Sequence, residues 1–164
     1  MGKLSLVAGA LRRLPEAASL IRQHGRPPGV LYFGGSPGDD LLATAVVQQW
    51  HKVRGTKPWY LTRHPALFEG NPDVGLVRDY APELAGALSF LGVERVRLKY
   101  HDYDAAEDRS VAPKDHIINL MGQSAKLPAM LNPVPRIYLT VEEFEKARRS
   151  KPFLVLQSSV LGRR

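Results

Sequence analysis

The feature that most constrains the fold is a repeated order in which a short apolar run precedes a helical pattern. The run VLYF at 30–33 comes before Leu42, Val46 and Trp50, which recur at the spacing of one helix face. Short continuous apolar runs are typical of strands buried on both faces. Strands and helices that alternate through short loops predict an α/β domain, Rossmann-like, with a mostly parallel sheet and flanking helices.

The same patterns predict where the elements and domains lie. We expect strands at 30–33, 59–62, 74–77, 93–100, 116–120, 136–139 and 153–156, and helices at 39–52, 82–91 and 140–149, with one helical turn at 64–68 and a loop at 101–114. Residues 1–28 are expected to form an amphipathic helical extension, broken at Pro15, with Val7 and Leu11 on its apolar side. Residues 29–150 then form the Rossmann-like domain. Residues 151–164 are expected to begin a missing second domain or to dock as a terminal strand.

Composition restricts the partners. The net charge of +7 over 164 residues favours anionic ligands, but the basic residues are scattered, so nucleic acid is not expected. No cysteine is present, which excludes disulfides and thiolate metal sites and fits a cytoplasmic protein. No apolar run approaches the length of a membrane span. The basic N-terminal segment either packs on the domain or lies on the inner membrane surface as a peripheral contact.

The stretch GGSPGDD at 34–40 follows the first predicted strand, on the edge where parallel sheets bind ligands. It matches neither the dinucleotide fingerprint nor the P-loop, and its acidic pair would repel a pyrophosphate, so NAD and ATP are not expected. Ser36 as N-cap, Pro37 at N1 and Asp39 at N3 predict a helix start. Asp39 could instead, or in addition, accept a proton from a sugar hydroxyl, because the helix dipole keeps a carboxylate ionised there.

A zinc-dependent sugar deacetylase is the metal alternative, since such enzymes carry the motif P-H-P-D-D-E after a first strand. Here Ser36 stands where that histidine should be, and the five histidines of the chain show no ligand spacing. We therefore expect no metal.

Two blocks carry a family resemblance: VLYFGGSPGDDLLATAVVQQW and WYLTRHPALFEGNPDV. Gly38-Asp39, the following leucines, Thr44 and the Asn71-Pro72-x-Val74 element resemble the amino-terminal half of glycosyltransferase family 9, the ADP-heptose:lipopolysaccharide heptosyltransferases. Weaker similarity continues at 116–120 and 153–157, which correspond to the fourth-strand region and the start of the family's second domain.

The resemblance implies a GT-B architecture, of which this chain would be the acceptor half. It assigns Asp39 as the base for direct, inverting sugar transfer in lipopolysaccharide biosynthesis, with Ser36 and Gly38 shaping the turn around it. No cofactor is implied. The nucleotide-sugar donor, an ADP-heptose-like compound, is expected on the second domain, either missing from this polypeptide or supplied by a partner chain.

Three further expectations concern charged residues. Arg63, after the second strand, and Lys99 are candidates for binding phosphates of a saccharide or glycolipid acceptor, the alternative being solvated surface charges. Asp40 replaces the family's usual apolar residue after Gly-Asp, and it is expected to alter the ionisation of Asp39 or to face solvent.

The alternative function, favoured by the expected absence of a donor domain, is a non-catalytic truncated module that binds an anionic glycan or a protein partner.

Overall fold

The computed structural model describes residues 3–99, 115–130, 133–139 and 141–149. The elements in chain order are α1 (Lys3–Arg12), α2 (Leu14–His24), β1 (Gly29–Tyr32), α3 (Pro37–Arg54), β2 (Trp59–Thr62), a 3-10 helix (Pro65–Phe68), β3 (Leu76–Asp79), α4 (Pro82–Phe90), β4 (Glu94–Arg97), α5 (Ile117–Ser124) and α6 (Val141–Arg149). Within the described residues, four strands form one all-parallel sheet of order β3-β2-β1-β4. The predicted Rossmann-like α/β architecture is confirmed.

Helices cover both faces of the sheet. Successive side chains of a strand point to opposite faces, so each strand contributes to a core on either side. Leu31 of β1 and Tyr60 of β2 enter the core on the side of α3 and α5. Val30 and Leu61 enter a second core, which includes residues of α2 and α4. All four residues are buried, as expected for a parallel sheet with helices on each face.

The strand order reverses at β1. The chain runs from β1 outward through β2 to β3 and then returns to place β4 on the other side of β1. In open parallel sheets such a reversal leaves a crevice at the carboxyl ends of the two strands that flank it, here β1 and β4. The turn that follows β1 lies at this carboxyl edge, where the sequence predicts a ligand site.

The N-terminal segment breaks as predicted, with α1 ending at Arg12 and Pro15 in the first turn of α2. The predicted apolar side of α1 is wrong, because Val7 and Leu11 are 46% and 52% exposed. The buried position is Ala10, which packs on α4 so closely that a Cβ added at Gly86 would lie 2.9 Å from the Ala10 Cβ. Small residues bring the two helices together, and larger apolar side chains are left outside the contact.

Two predicted strands are wrong. Residues 117–124 form helix α5, for which the His116 imidazole accepts a hydrogen bond from the Ile118 N–H at 3.2 Å as a cap. Its apolar run is too short for periodicity to separate a buried helix from a strand. Residues 136–139 form no strand, and Ile137 and Leu139 are exposed.

The remaining predicted elements are confirmed with shifted ends. The third strand starts at Leu76 instead of 74, and the fourth extends only over Glu94–Arg97. The predicted loop at 101–114 and strand at 153–156 lie outside the described residues. In the part of the chain that the structure covers, no helix combines the length and the apolar character needed to cross a bilayer.

Candidate functional site

The glycine-rich turn after β1 is shaped by close contacts. Gly34 has φ of +78°, and a Cβ there would lie 2.4 Å from the Tyr80 ring. A Cβ on Gly35 would lie 2.4 Å from the Asp39 Oδ2 atom. Both positions therefore exclude a side chain. Gly38 differs, because a Cβ there would meet only the Ser36 hydroxyl at an ordinary 3.7 Å.

The predicted helix start is confirmed in detail. Ser36 is the N-cap of α3, Pro37 lies in the first turn, and Ser36 and Asp39 form a capping box. The Asp39 Oδ2 atom accepts hydrogen bonds from the Ser36 N–H at 2.7 Å and from the Ser36 hydroxyl at 2.9 Å. The carboxylate of Asp39 thus has a structural function at the carboxyl edge, whatever its part in chemistry.

Asp40 does not face solvent, which corrects one of the two expectations for it. Its side chain is 0% exposed and lies between α3 and β2. The Tyr60 hydroxyl donates to Oδ1 at 2.9 Å, and the Thr62 hydroxyl donates to Oδ2 at 2.6 Å. Tyr60 is itself fixed by stacking on Phe68, with ring centroids 4.3 Å apart. A buried carboxylate needs such donors, because an unpaired charge in the interior is costly.

The third partner of Asp40 is His64. The His64 Nδ1 atom lies 2.7 Å from the Asp40 Oδ2 atom, and the His64 backbone N–H donates to the Thr62 hydroxyl oxygen at 2.9 Å. A carboxylate only accepts hydrogen bonds, so this contact calls for a hydrogen on Nδ1, and in the neutral ring Nε2 on the other side is then the acceptor. The His64 side chain is 29% exposed, so the pair joins a buried carboxylate to an imidazole that solvent reaches.

Sequence reasoning missed this cluster of Asp40, Tyr60, Thr62 and His64. One signal was available: Tyr60 and Thr62 alternate on β2 and therefore share a face, and His64 follows two residues later. What the sequence does not show is that this face of β2 lies under the first turn of α3.

The predicted phosphate-binding residues lie at the same edge but are not joined to the cluster. Arg63 is exposed, and its guanidinium lies 5.1 Å from the centre of the Tyr80 ring. Lys99 follows the end of β4, and its backbone carbonyl accepts a hydrogen bond from the Ser124 hydroxyl at 3.4 Å. Burial raises the pKa of the nearby Tyr32 phenol above its ordinary value, and the charges of Arg95 and Arg97 oppose that shift.

Thr44, which carries part of the resemblance, is buried one turn further along α3. Its hydroxyl donates to the Leu41 carbonyl at 2.7 Å and accepts the Arg136 N–H at 2.9 Å. Both bonds are made to backbone atoms. Thr44 therefore ties residues 133–139 to helix α3.

A second aspartate–histidine pair lies at the opposite edge of the sheet. His51, in the last turn of α3, has its Nδ1 atom 2.7 Å from the Oδ1 atom of Asp73, which precedes β3. The Asp73 N–H donates to the Asn71 side-chain oxygen at 2.9 Å. The Asn71-Pro72-Asp73 element of the second resemblance block therefore forms a turn at the amino edge, away from the carboxyl edge.

In the described ranges, no group of three or more histidine, aspartate or glutamate side chains is arranged to hold a metal ion. Comparison of the chain with protein-family models, with curated proteins and with solved structures finds no match.

Proposed function

We propose that this domain binds the saccharide acceptor of a sugar transferase resembling glycosyltransferase family 9. The observation that carries the proposal is the position of the Gly38-Asp39 pair. It opens α3 directly after the central strand β1, beside the reversal of strand order. Ligands of open parallel sheets bind in this position. The first block of the resemblance thus coincides with the edge that topology favours for a ligand.

The charges at this edge support an anionic saccharide. Arg63 is exposed next to the cluster, Lys99 follows β4, and the chain as a whole carries a net charge of +7. An arginine in this position can bind a phosphate through two parallel hydrogen bonds. A phosphorylated saccharide, such as the inner part of lipopolysaccharide, fits this arrangement.

The proposed reaction is a direct displacement. A base removes the proton of an acceptor hydroxyl, the hydroxyl oxygen bonds to the anomeric carbon of the donor sugar, and the nucleoside diphosphate leaves with the electron pair of the broken C–O bond. The resemblance assigns the base to Asp39 and assigns the donor, ADP-heptose-like, to a second domain. The proposal for this chain therefore concerns the acceptor side.

Binding is tested by NMR on the ¹⁵N-labelled chain titrated with oligosaccharide from lipopolysaccharide that lacks heptose. We expect shifts of the amide signals at 36–40 and 62–64, and weaker binding by Arg63→Gln. Arg22→Gln is the matched control, because Arg22 is also exposed but lies in the last turn of α2, which leads into the amino end of β1. Absence of shifts at the carboxyl edge would overturn the proposal.

Transfer is tested by mass spectrometry with ADP-heptose as the donor and heptose-free lipopolysaccharide as the acceptor. Turnover by this chain would exclude the alternative of a purely binding module, whereas saccharide binding without turnover would favour it. If transfer occurs and Asp39→Asn leaves its rate unchanged, Asp39 is not the base.

A further inference from the structure

We propose that His64, oriented by the buried carboxylate of Asp40, takes the proton from the acceptor hydroxyl, and that Asp39 serves mainly as a helix cap. This inference rests on the proposed function, because it names the proton acceptor of that same site. Neither Asp40 nor His64 is assigned a chemical role by the family resemblance, in which an apolar residue follows the Gly-Asp pair.

Asp40 is suited to hold an imidazole in place. Its carboxylate is 0% exposed and accepts hydrogen bonds from two hydroxyls and one imidazole N–H, those of Tyr60, Thr62 and His64. Two of the three donors are held by the strand β2, so the carboxylate has a fixed position. A fixed, buried carboxylate is what orients an imidazole and stabilises the charge that it gains on protonation.

His64 is placed to accept a proton. With Nδ1 bonded to Asp40, the lone pair of Nε2 is on the side of the ring away from the carboxylate. The backbone of His64 is held as well, through the Thr62 hydroxyl, and the side chain is 29% exposed. An incoming hydroxyl can therefore donate its proton to Nε2, the negative oxygen attacks the anomeric carbon, and the imidazolium remains paired with Asp40.

Asp39 differs from His64 in its hydrogen bonding. One oxygen of Asp39 accepts two hydrogen bonds from Ser36, and the carboxylate lies in the first turn of an 18-residue helix. That oxygen is occupied by the helix cap, whereas the His64 ring is held through Nδ1, so that Nε2 is the atom directed away from the carboxylate.

The first test measures the ¹⁵N chemical shifts of the imidazole nitrogens by NMR in the unmodified full chain. We expect His64 in the tautomer with hydrogen on Nδ1, and we expect addition of the heptose-free oligosaccharide to shift its Nε2 signal. His51 is the internal control, since it makes the same contact with Asp73 at the other edge and its nitrogens should not move. In Asp40→Asn the preference for Nδ1–H should be lost.

The outcomes separate this inference from the proposed function. Shifts of the amides at 36–40 without a shift of the His64 Nε2 signal would overturn the role of His64 and leave saccharide binding intact. Hydrogen on Nε2 in the unmodified chain would also overturn it. Absence of any oligosaccharide binding would overturn the proposed function, and the inference with it.

Kinetics distinguish a proton acceptor from a structural residue. His64→Asn keeps an N–H where Nδ1 bonds Asp40 but removes Nε2, so if the transfer assay shows turnover, kcat for heptose transfer should fall about 100-fold with little change in KM. His51→Asn is the matched control and should change kcat by less than about twofold, as a surface substitution away from the site does. A larger loss of kcat in Asp39→Asn than in His64→Asn would assign the base to Asp39 instead.

Discussion

The two aspartate–histidine pairs among the described residues make the same contact in different surroundings. In both pairs a carboxylate oxygen lies 2.7 Å from an imidazole Nδ1 atom. At the carboxyl edge, Asp40 is 0% exposed and has two hydroxyl donors in addition to His64. At the amino edge, Asp73 is 15% exposed and His51 33% exposed. The distance alone therefore does not distinguish the pairs, whereas burial and the additional donors do.

The difference shows how one contact can serve two purposes in a parallel α/β fold. The pair at the amino edge joins the end of α3 to the turn before β3, where the chain only changes direction. The pair at the carboxyl edge lies where such sheets bind ligands. Its carboxylate is fully buried and its imidazole is partly exposed to solvent. This position at the ligand edge favours a chemical role for Asp40 and His64.

The largest expected effect is on stability. Asp40→Ala should lower the free energy of unfolding by about 3–5 kcal/mol, because it leaves buried hydroxyls and an imidazole N–H without their acceptor. Asp73→Ala should cost less, about 1–2 kcal/mol, because the pair is partly exposed and, among the described residues, no hydroxyl donor to Asp73 would be left unpaired. Urea denaturation of the two variants measures both values. Equal losses would remove the distinction between the pairs.

Thr62 provides the next test. Thr62→Val keeps the shape but removes the donor to Asp40 and the acceptor for the His64 N–H, and it should cost about 1–3 kcal/mol. Thr56→Val is the control, because Thr56 is exposed between α3 and β2, and it should stay within about 0.5 kcal/mol. A small effect at Thr62 would mean that the cluster tolerates the loss of one of the two donors to the Asp40 Oδ2 atom and of the acceptor for the His64 N–H.

Substitution of Ser36 distinguishes the roles of the two neighbouring carboxylates, those of Asp39 and Asp40. Ser36→Ala should lower the free energy of unfolding by about 1 kcal/mol through loss of the cap. If Asp39 acts with Ser36 as a capping box, Ser36→Ala and Asp39→Ala should not be additive, whereas Ser36→Ala and Asp40→Ala should be nearly additive. A double-mutant cycle by urea denaturation measures the coupling. Coupling of Ser36 to Asp40 instead would contradict the division between cap and cluster.

The smallest expected effect is at Gly38. Gly38→Ala should leave the stability unchanged or raise it by up to about 1 kcal/mol, because the site is helical and has room for a methyl group. Gly34→Ala should instead lower the melting temperature, since its φ is +78° and the Tyr80 ring occupies the space of a Cβ. If Gly38→Ala nevertheless weakens oligosaccharide binding, the open space at Gly38 belongs to the ligand. Thermal unfolding and the NMR titration together decide this.

The sequence predicts those parts of the fold that depend on local chemistry. The start of α3 follows from Ser36, Pro37 and Asp39. The prediction fails for 116–120, where a few apolar residues suit a buried helix as well as a strand. It fails for the face of α1, because packing there is decided by Ala10 meeting Gly86, a contact between residues far apart in the chain.

The candidate site shows the same division. Ser36 and Asp39 lie three residues apart, so their capping box can be predicted from spacing alone. Asp40 and His64 are separated by 24 residues, and their contact depends on α3 lying over β2. Periodicity identifies the elements but not which side chains of two elements meet, and for that reason the more buried of the two aspartates was not singled out by the sequence.

The burial of Asp40 among three polar partners has an evolutionary consequence. Substitution by an apolar residue would leave the hydroxyls of Tyr60 and Thr62 and the N–H of His64 without their acceptor. These positions are therefore expected to change together in lineages related to this chain. Descendants that lose the aspartate should also replace the histidine, and those that keep one should keep the other.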